Sequence, residues 1–367
     1  MGNWGGTFFS NHGHKRILRV RFNACAALSH FSSGGTPVRE QAARYKTAVI
    51  VFLSALLLLA FAPDSLAWSA RGHKTVGEVA FGLLSNNVRS KVTALLGPND
   101  IQHAAIWPDL LRDPPPGDTE MQQFIAAHPD HTDWHFINLP LKSTAYDPTG
   151  PFARPNDIIH QINLCINVLE GITPSPPVGG EGRGEVALSK THALRWLVHL
   201  VGDLHQPLHV GCGYYRFDAS GKVTLLKTPA EAIGKKHDRG GNLLHYTKTG
   251  KLHSFWDDAL VDRIDSSPGE ANLFAIIRSK IKPSSFQTTG PIRTWAAKWA
   301  IDSVKESKAA YSGITFGEAD LQHDGDIDSI TIIRPTKYGD KQEPRAARQL
   351  AKGAFHLAEL LNKIQWQ

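Results

Sequence analysis

Long apolar runs are nearly absent from this 367-residue sequence. One exists, TAVIVFLSALLLLAFA at residues 47–62, with Arg44 and Lys46 before it and Asp64-Ser65-Leu66-Ala67 after it. A membrane anchor is one reading, but the run is short of the roughly 20 residues that span a bilayer. A basic flank, an apolar stretch and a small-residue ending fit a secretory signal peptide cleaved before Trp68 better. The expectation is therefore export to the periplasm or the medium, without stable membrane association.

Cysteine is scarce too: Cys25, Cys165 and Cys212 are all there are, and the last two survive cleavage. An exported protein is free to join them, but sequence does not show whether their Cα atoms come close enough. Both states stay open. Excess charge is also missing from the mature chain. The full sequence carries a net charge of +6, yet residues 1–67 hold seven Lys or Arg and two Asp or Glu, which leaves 33 basic against 32 acidic residues. Bulk charge is thus excluded as the handle for any polyanion.

With 41% apolar residues and no apparent internal repeat, the chain can bury a sizeable core. It reads as a leader and signal peptide over 1–67 followed by one catalytic domain over 68–367. After Ala67 the apolar residues recur three and four apart, the signature of amphipathic helices. Val76, Val79, Ala80, Leu83 and Leu84 form one stripe, and Val92, Leu95 and Leu96 form another that Gly97 closes. Pro155 opens a predicted helix with Ile158, Ile159, Ile162 and Ile166 inward, ended by Gly171. Residues 171–185 read as a loop. Leu194, Leu197, Val198 and Val201 mark a buried helix that Pro207 terminates. Helices are expected again over 253–263, 293–311 and 343–363. Residues 213–237 show no helical period, and GKVTLLK within them reads as a short strand. The predicted class is all-α, a single mainly helical domain with a short irregular or β-hairpin excursion.

His and Asp residues stand out against this apolar pattern. His199 and Asp203 are four apart on an apolar helix and share a face. Burying that carboxylate unpaired costs several kcal/mol, and a bound cation would remove the cost. Such a pair alone is more often just hydrogen-bonded. Here, however, His209 follows just past the Pro207 break, and a second pair, His253 and Asp257, lies in LHSFWDDAL. Asp109 in IWPDLLRD, His135 in DWHFINLP and His73 in WSARGH are further polar residues among aromatic and aliphatic neighbours. Each singly reads as a satisfied core residue; together they suit ligands in a dry shell. Cleavage before Trp68 would add a free α-amine, whose ordinary pKa near 7.7–8.0 lets it deprotonate and bind a metal. Nitrogen and carboxylate donors without thiolates suit zinc, with manganese or cobalt also accommodated.

WSARGH, WPD, HFINLP, HLVGDLHQPLHV, DRGGN and LHSFWD, in this order over nearly the whole mature chain, closely resemble the S1/P1 nuclease family of single-strand-specific zinc nucleases. The HLVGDLHQPLHV run is the most specific part. The resemblance implies three zinc ions. One would be held by Asp109, His135, His199 and Asp203; a second by the Trp68 amine and carbonyl with His73 and the bridging Asp203; a third by His209, His253 and Asp257. The first two ions would activate the attacking water, and the third would stand near the scissile phosphate. Asp203, Asp109 and Arg112 are the implied catalytic residues, with Arg112 assisting at the phosphate. Phe136 would stack an unpaired base, while Asn138 and Asn242 contact base edges. The substrates implied are single-stranded DNA and RNA, cut to 5′-phosphate products, and 3′-nucleotides, handled by a monomer.

Asn138 departs from the Asp of the fungal enzymes, which affects base preference and pH optimum. The stretch between His209 and Asp238 is longer than expected and reads as a lid, with Cys212 at its root. His205 reads as a supporting or solvent-facing residue. The alternative function is a zinc-dependent phospholipase C, which shares the fold and the N-terminal Trp; there the last pair is typically His-x3-Glu, whereas this chain has Asp257. A non-catalytic metal-binding protein is the remaining option.

Overall fold

The computed structural model describes residues 68–98, 100–172, 187–266 and 272–367. The signal-peptide reading and most of the predicted 171–185 loop fall outside the described residues. All described residues belong to one compact unit.

Helices dominate. They are α1 (Ala70–Gly82), α2 (Asn86–Leu96), α3 (Ile101–Leu110), α4 (Thr119–Ala127), α5 (Ile158–Leu169), α6 (Lys190–Leu204), α7 (Leu260–Asp265), α8 (Leu273–Ser279), α9 (Trp295–Ala310) and α10 (Tyr338–Lys363), besides shorter turns. Helix α6 is the hub: α1, α2, α3, α5, α9 and α10 all pack on it. From Trp196 to Leu204 every residue of it is buried. A fully buried Leu side chain contributes about 1.5–3 kcal/mol, so Leu194, Leu197, Leu200 and Leu204, all at 0% exposure, anchor it firmly. Its start is fixed by Ser189, whose hydroxyl accepts from the His192 amide.

Several helix boundaries differ from the sequence reading. Helix α5 starts at Ile158 rather than at Pro155, because the Asp157 carboxylate accepts from both the Ile159 and His160 amides and so caps the first turn. Helix α10 begins at Tyr338 and runs through Pro344. The proline deletes one amide near the start, and the long buried face beyond it holds the helix together. The predicted 253–263 helix is present in three parts: Leu252–Ser254, a π-helical turn at Phe255–Ala259, and α7.

The excursion after His209 begins with β2 (Gly211–Cys212), which pairs in parallel with the earlier β1 (Leu139–Pro140), and continues as a three-stranded sheet of β3 (Tyr214–Phe217), β4 (Val223–Leu226) and β5 (Lys236–His237) in the order β4-β3-β5. The GKVTLLK strand is thus β4, with Thr224 opposite Arg216. A further sheet, ordered β6-β8-β7, joins β6 (Leu244–His245), β7 (Thr315–Leu321) and β8 (Ile327–Ile333). The sequence reading did not include this hairpin. Its signals were modest: Ile327, Ile330 and Ile332 point inward without a regular two-residue period while most of β7 is exposed, and Gly325 supplies the positive φ of its turn.

Candidate metal centre

Helix α6 supplies the floor of the site, His199 and Asp203, both at 0% exposure. His73 comes from α1, Asp109 from the end of α3, and His135 from the 3-10 turn His131–His135. His209 closes the 3-10 turn Pro207–His209, where Pro207 has stopped α6 and turned the chain back. His253 and Asp257 sit on the helical turn and π turn that precede α7. A π turn of this kind commonly marks a functional position.

Three groups of donor atoms lie close enough to hold one ion each: His135, His199 and Asp203; His209, His253 and Asp257; and His73, Asp109 and His199. Around Asp203, Oδ2 is 2.9 Å from His135 Nδ1 and 3.0 Å from His199 Nε2, while Oδ1 is 3.0 Å from His73 Nε2. One carboxylate therefore faces three imidazoles through both of its oxygens. Asp109 Oδ1 lies 3.7 Å from His199 Nε2 and 3.9 Å from His135 Nδ1. Both oxygens of Asp109 are buried with no hydrogen bond, an arrangement that costs several kcal/mol unless a cation faces it.

Backbone carbonyls set the tautomers. A carbonyl only accepts, so the His199 Nδ1 at 2.8 Å from the Ala105 oxygen carries a proton, which reserves Nε2 as the nitrogen that a cation would take. The same logic applies to His209 Nδ1 on the His135 carbonyl at 2.8 Å and His253 Nδ1 on the Gly240 carbonyl at 2.7 Å. Consequently the Nε2 atoms of His209 and His253 face each other lone pair to lone pair at 3.1 Å, with Asp257 Oδ2 3.4 Å from the second of them. Two neutral imidazoles in that pose repel; a shared cation makes the pose favourable. Burial presses both rings toward the neutral form that a metal needs, His253 down to about 3 and His209 also downward. Burial likewise lowers His135 to about 4 and lowers His73. Burial acts in the same direction on His199, but the carboxylates of Asp203 and Asp109 outweigh it and hold that ring at about 9.

The supporting groups are as informative as the donors. The Gln206 amide donates to Asp257 Oδ1 at 2.6 Å and its oxygen accepts from the Leu208 amide at 2.6 Å, so Asp257 is aimed from behind. Asp238 of the DRGGN segment is buried and accepts from the Tyr215 and Tyr311 hydroxyls and from the Gly241 amide. That pins the loop whose Gly240 carbonyl orients His253. Gly240 itself adopts φ +62°, and a Cβ there would sit 2.0 Å from the Leu208 carbonyl oxygen. None of Gln206, Asp238 or Gly240 had been singled out from the sequence, although all three lie in the quoted motifs.

Trp68 is fully buried, and its indole donates to the Gly202 carbonyl at 3.1 Å, one residue before Asp203. The next amide, Ser69, donates to the Asp257 carbonyl at 2.9 Å. The first residue of the expected mature chain is thus tied to both His-x3-Asp segments. Arg112 Nε stands 4.0 Å from Asp109 Oδ1, and its charge contributes to lowering His135, His209 and His253. Phe136 and Asn138 line a common cavity beside His135. Asn242 is not among the residues lining that cavity; its amide donates to the Arg239 carbonyl at 3.0 Å.

One reading needs correction, and one open question is answered. His205 neither faces solvent nor supports the cluster: it is buried, with Nδ1 donating to the Val201 carbonyl and Nε2 facing His356. Cys165 and Cys212 are both buried free thiols, so the open question of a bridge resolves as unpaired. The supposed lid is ordered as β3, β4, β5 and a helical turn at Pro229–Ala232, and it forms one wall of the Phe136 cavity.

Comparison with known proteins finds nucleases among the relatives. Endonuclease 1 of Arabidopsis thaliana is 23% identical over 340 residues, 88% of this chain and 94% of that protein. Nuclease S1 of Aspergillus oryzae is 24% identical over 84% of this chain and 96% of its own length, and Nuclease P1 of Penicillium citrinum is 25% identical over 81% and 97%. The S1/P1 Nuclease family model matches residues 68–365, starting at the tryptophan that is tied to both His-x3-Asp segments. Converging donors, a mainly helical frame and a family match over residues 68–365 place this chain in the S1/P1 nuclease family, as a metal-dependent phosphodiesterase.

Proposed function

We propose that the mature chain, residues 68–367, is an exported zinc-dependent endonuclease. It hydrolyses single-stranded DNA and RNA to 5′-phosphate products and removes phosphate from 3′-nucleotides, and it works as a monomer. The observation that carries the reading is the opposed pair His209 Nε2 and His253 Nε2, 3.1 Å apart with no proton to share, beside a second nest around Asp203. Such an arrangement is at rest only around cations.

The donor chemistry fits zinc, with three sites: Asp109, His135, His199 and Asp203; the Trp68 amine and carbonyl, His73 and Asp203; and His209, His253 and Asp257. Bound there, zinc supplies Lewis acidity toward water and the phosphate oxygens. The protein's own part is orientation and exclusion of water. The carbonyls of Ala105, His135 and Gly240 fix the tautomers, Gln206 aims Asp257, and Arg112 adds positive charge beside Asp109 for the phosphate. The half-buried Phe136 ring gives an unpaired base a stacking surface, an interaction of about 1–3 kcal/mol that duplexed bases cannot make. This accounts for strand preference without a basic patch. Export is supported by the leader composition, and among the described residues no helix is long and apolar enough to cross a membrane.

The test offers purified protein beginning at Trp68 single-stranded DNA, duplex DNA and phosphatidylcholine side by side, with metal content measured on the same sample. Three zincs and chelator-sensitive release of 5′-phosphate nucleotides from single strands are expected. Lipid cleavage without nucleotide release would assign a phospholipase instead, and three zincs without any phosphoester hydrolysis would leave a metal-binding protein.

A further inference from the structure

The cavity beside His135 has a volume of about 190 Å³, several times the roughly 30 Å³ share of one water. Its apolar walls are Phe136, Phe152, Pro151 and Ile233, the last of them 57% exposed at the rim. Two flat rings and an apolar rim suit a planar heterocycle. Its polar lining is one-sided. Arg154, Lys235, His237 and Asn138 face it, and no carboxylate does. Neither Arg154 nor Lys235 has an acidic partner among the described residues. The Arg154 guanidinium lies 6.0 Å from the Phe136 ring centroid, so a base stacked on that ring meets it.

His237 is a donor as well. Its Nδ1 accepts from the Arg239 amide at 3.2 Å, which leaves the proton on Nε2. The Tyr214 hydroxyl donates to the Asn138 carbonyl at 2.7 Å. The side-chain oxygen of Asn138 is then the one strong side-chain acceptor left among the cavity's lining residues. A pocket with this polarity is satisfied by a ring edge rich in acceptors and penalises an edge that brings an amine, because the amine's hydrogens would meet Arg154 and His237 instead of an oxygen.

We propose that this pocket selects keto bases, guanine and thymine or uracil, with Arg154, His237 and Asn138 as specificity-determining residues reading the acceptor edge. The proposal rests on the single-strand nuclease reading and names the base that its site prefers. Guanine presents O6 and N7 as acceptors and thymine presents O4, whereas adenine and cytosine present exocyclic amines. An asparagine by itself also pairs with adenine; the surrounding donors decide the choice. The same donors would serve a phosphate oxygen, and the experiment separates the two.

A random-sequence single-stranded DNA pool is digested briefly and the cut positions are sequenced. At one position beside the cut, guanine and thymine are expected to exceed adenine and cytosine by about fivefold or more, the low end of what one good base-edge contact supplies. Arg154→Gln should remove most of that bias while leaving cleavage measurable, and Asn138→Asp, which trades a donor for an acceptor, should shift it toward adenine and cytosine. Arg154 is exposed and Asn138 half-buried, so neither variant threatens the fold. Equal use of all four bases, or a uniform slowing by Arg154→Gln that marks a phosphate contact, overturns the proposal. Calorimetric binding of the four nucleoside 5′-monophosphates needs no cleavage: GMP and UMP tighter than AMP and CMP supports the pocket's selectivity, and equal affinity overturns it. A protein that cut no single strand at all would overturn the nuclease reading, while this binding arm would still judge the pocket.

Discussion

Gln206 makes no contact with substrate in the proposed reaction, yet replacing it with leucine should weaken one metal site out of three. The amide group has two buried bonds, to Asp257 Oδ1 and from the Leu208 amide, each 2.6 Å long. Leucine fills similar space and keeps neither. The lost bond to a charged carboxylate is worth about 1.5–3 kcal/mol, and the stranded Leu208 amide adds about 1–3 kcal/mol. Freed on one side, Asp257 can rotate away from His253, and loss of such an outer partner typically lowers metal affinity about 10- to 100-fold, or roughly 1.4–2.7 kcal/mol. The assay is zinc titration of metal-free Gln206→Leu against a chromophoric chelator, paired with thermal unfolding in excess chelator. The expected result is two sites at wild-type affinity and one weakened. A variant whose stability falls while all its sites keep wild-type affinity would refute the orienting role and leave Gln206 as packing alone.

Other outcomes follow from the same geometry. A protein carrying one extra alanine before Trp68 should bind one zinc fewer and lose most activity, because the α-amine becomes an amide; metal analysis and nuclease assay on both forms check this. In Gly202→Ala the new Cβ would stand 2.8 Å from His73 Nδ1, so His73 must move from Asp203, and zinc content should fall by about one ion while far-ultraviolet circular dichroism stays unchanged. Chelation should destabilise the protein by about 4 kcal/mol for each site formerly held at a thousandfold excess over its Kd, read as a fall in Tm on adding a chelator. Asp157→Ala should cost about 1–2 kcal/mol through the lost cap of α5. Burial raises the Asp157 carboxyl, but its bonds, led by His160, outweigh that and hold it below the usual range. A depressed carboxyl stabilises above its unfolded pKa of about 3.9 and loses this as pH falls through the folded value, so the Tm gap between variant and wild type should be full at pH 7 and close below about pH 4.

The donors were legible in the sequence because they violate a pattern. His199 and Asp203 interrupt a helix whose other residues from Trp196 to Leu204 are built for burial, and polar side chains in such a place need a partner that the sequence does not otherwise supply. The helical frame was legible for the same reason, since α1, α5, α6 and α9 each carry a clear apolar stripe. What escaped was whatever acts through the backbone or through long-range pairing. The carbonyls of Ala105, His135 and Gly240 decide which imidazole nitrogen is free, and a carbonyl has no letter in a sequence. Helix α3 carries Asp109 but is interrupted by Pro108 and short of a polar face, so its period was too weak to read. The hairpin of β7 and β8 is half exposed, and its inner strand finds its parallel partner β6 more than eighty residues earlier in the chain. That pairing has a chemical consequence. Strand β6 directly follows the DRGGN loop and is fastened to β8 through Leu244 opposite Ile330, so the late hairpin braces the loop whose Gly240 carbonyl sets the His253 tautomer. The site was therefore visible as a set of donors, while its preorganisation depends on a strand that supplies none of them.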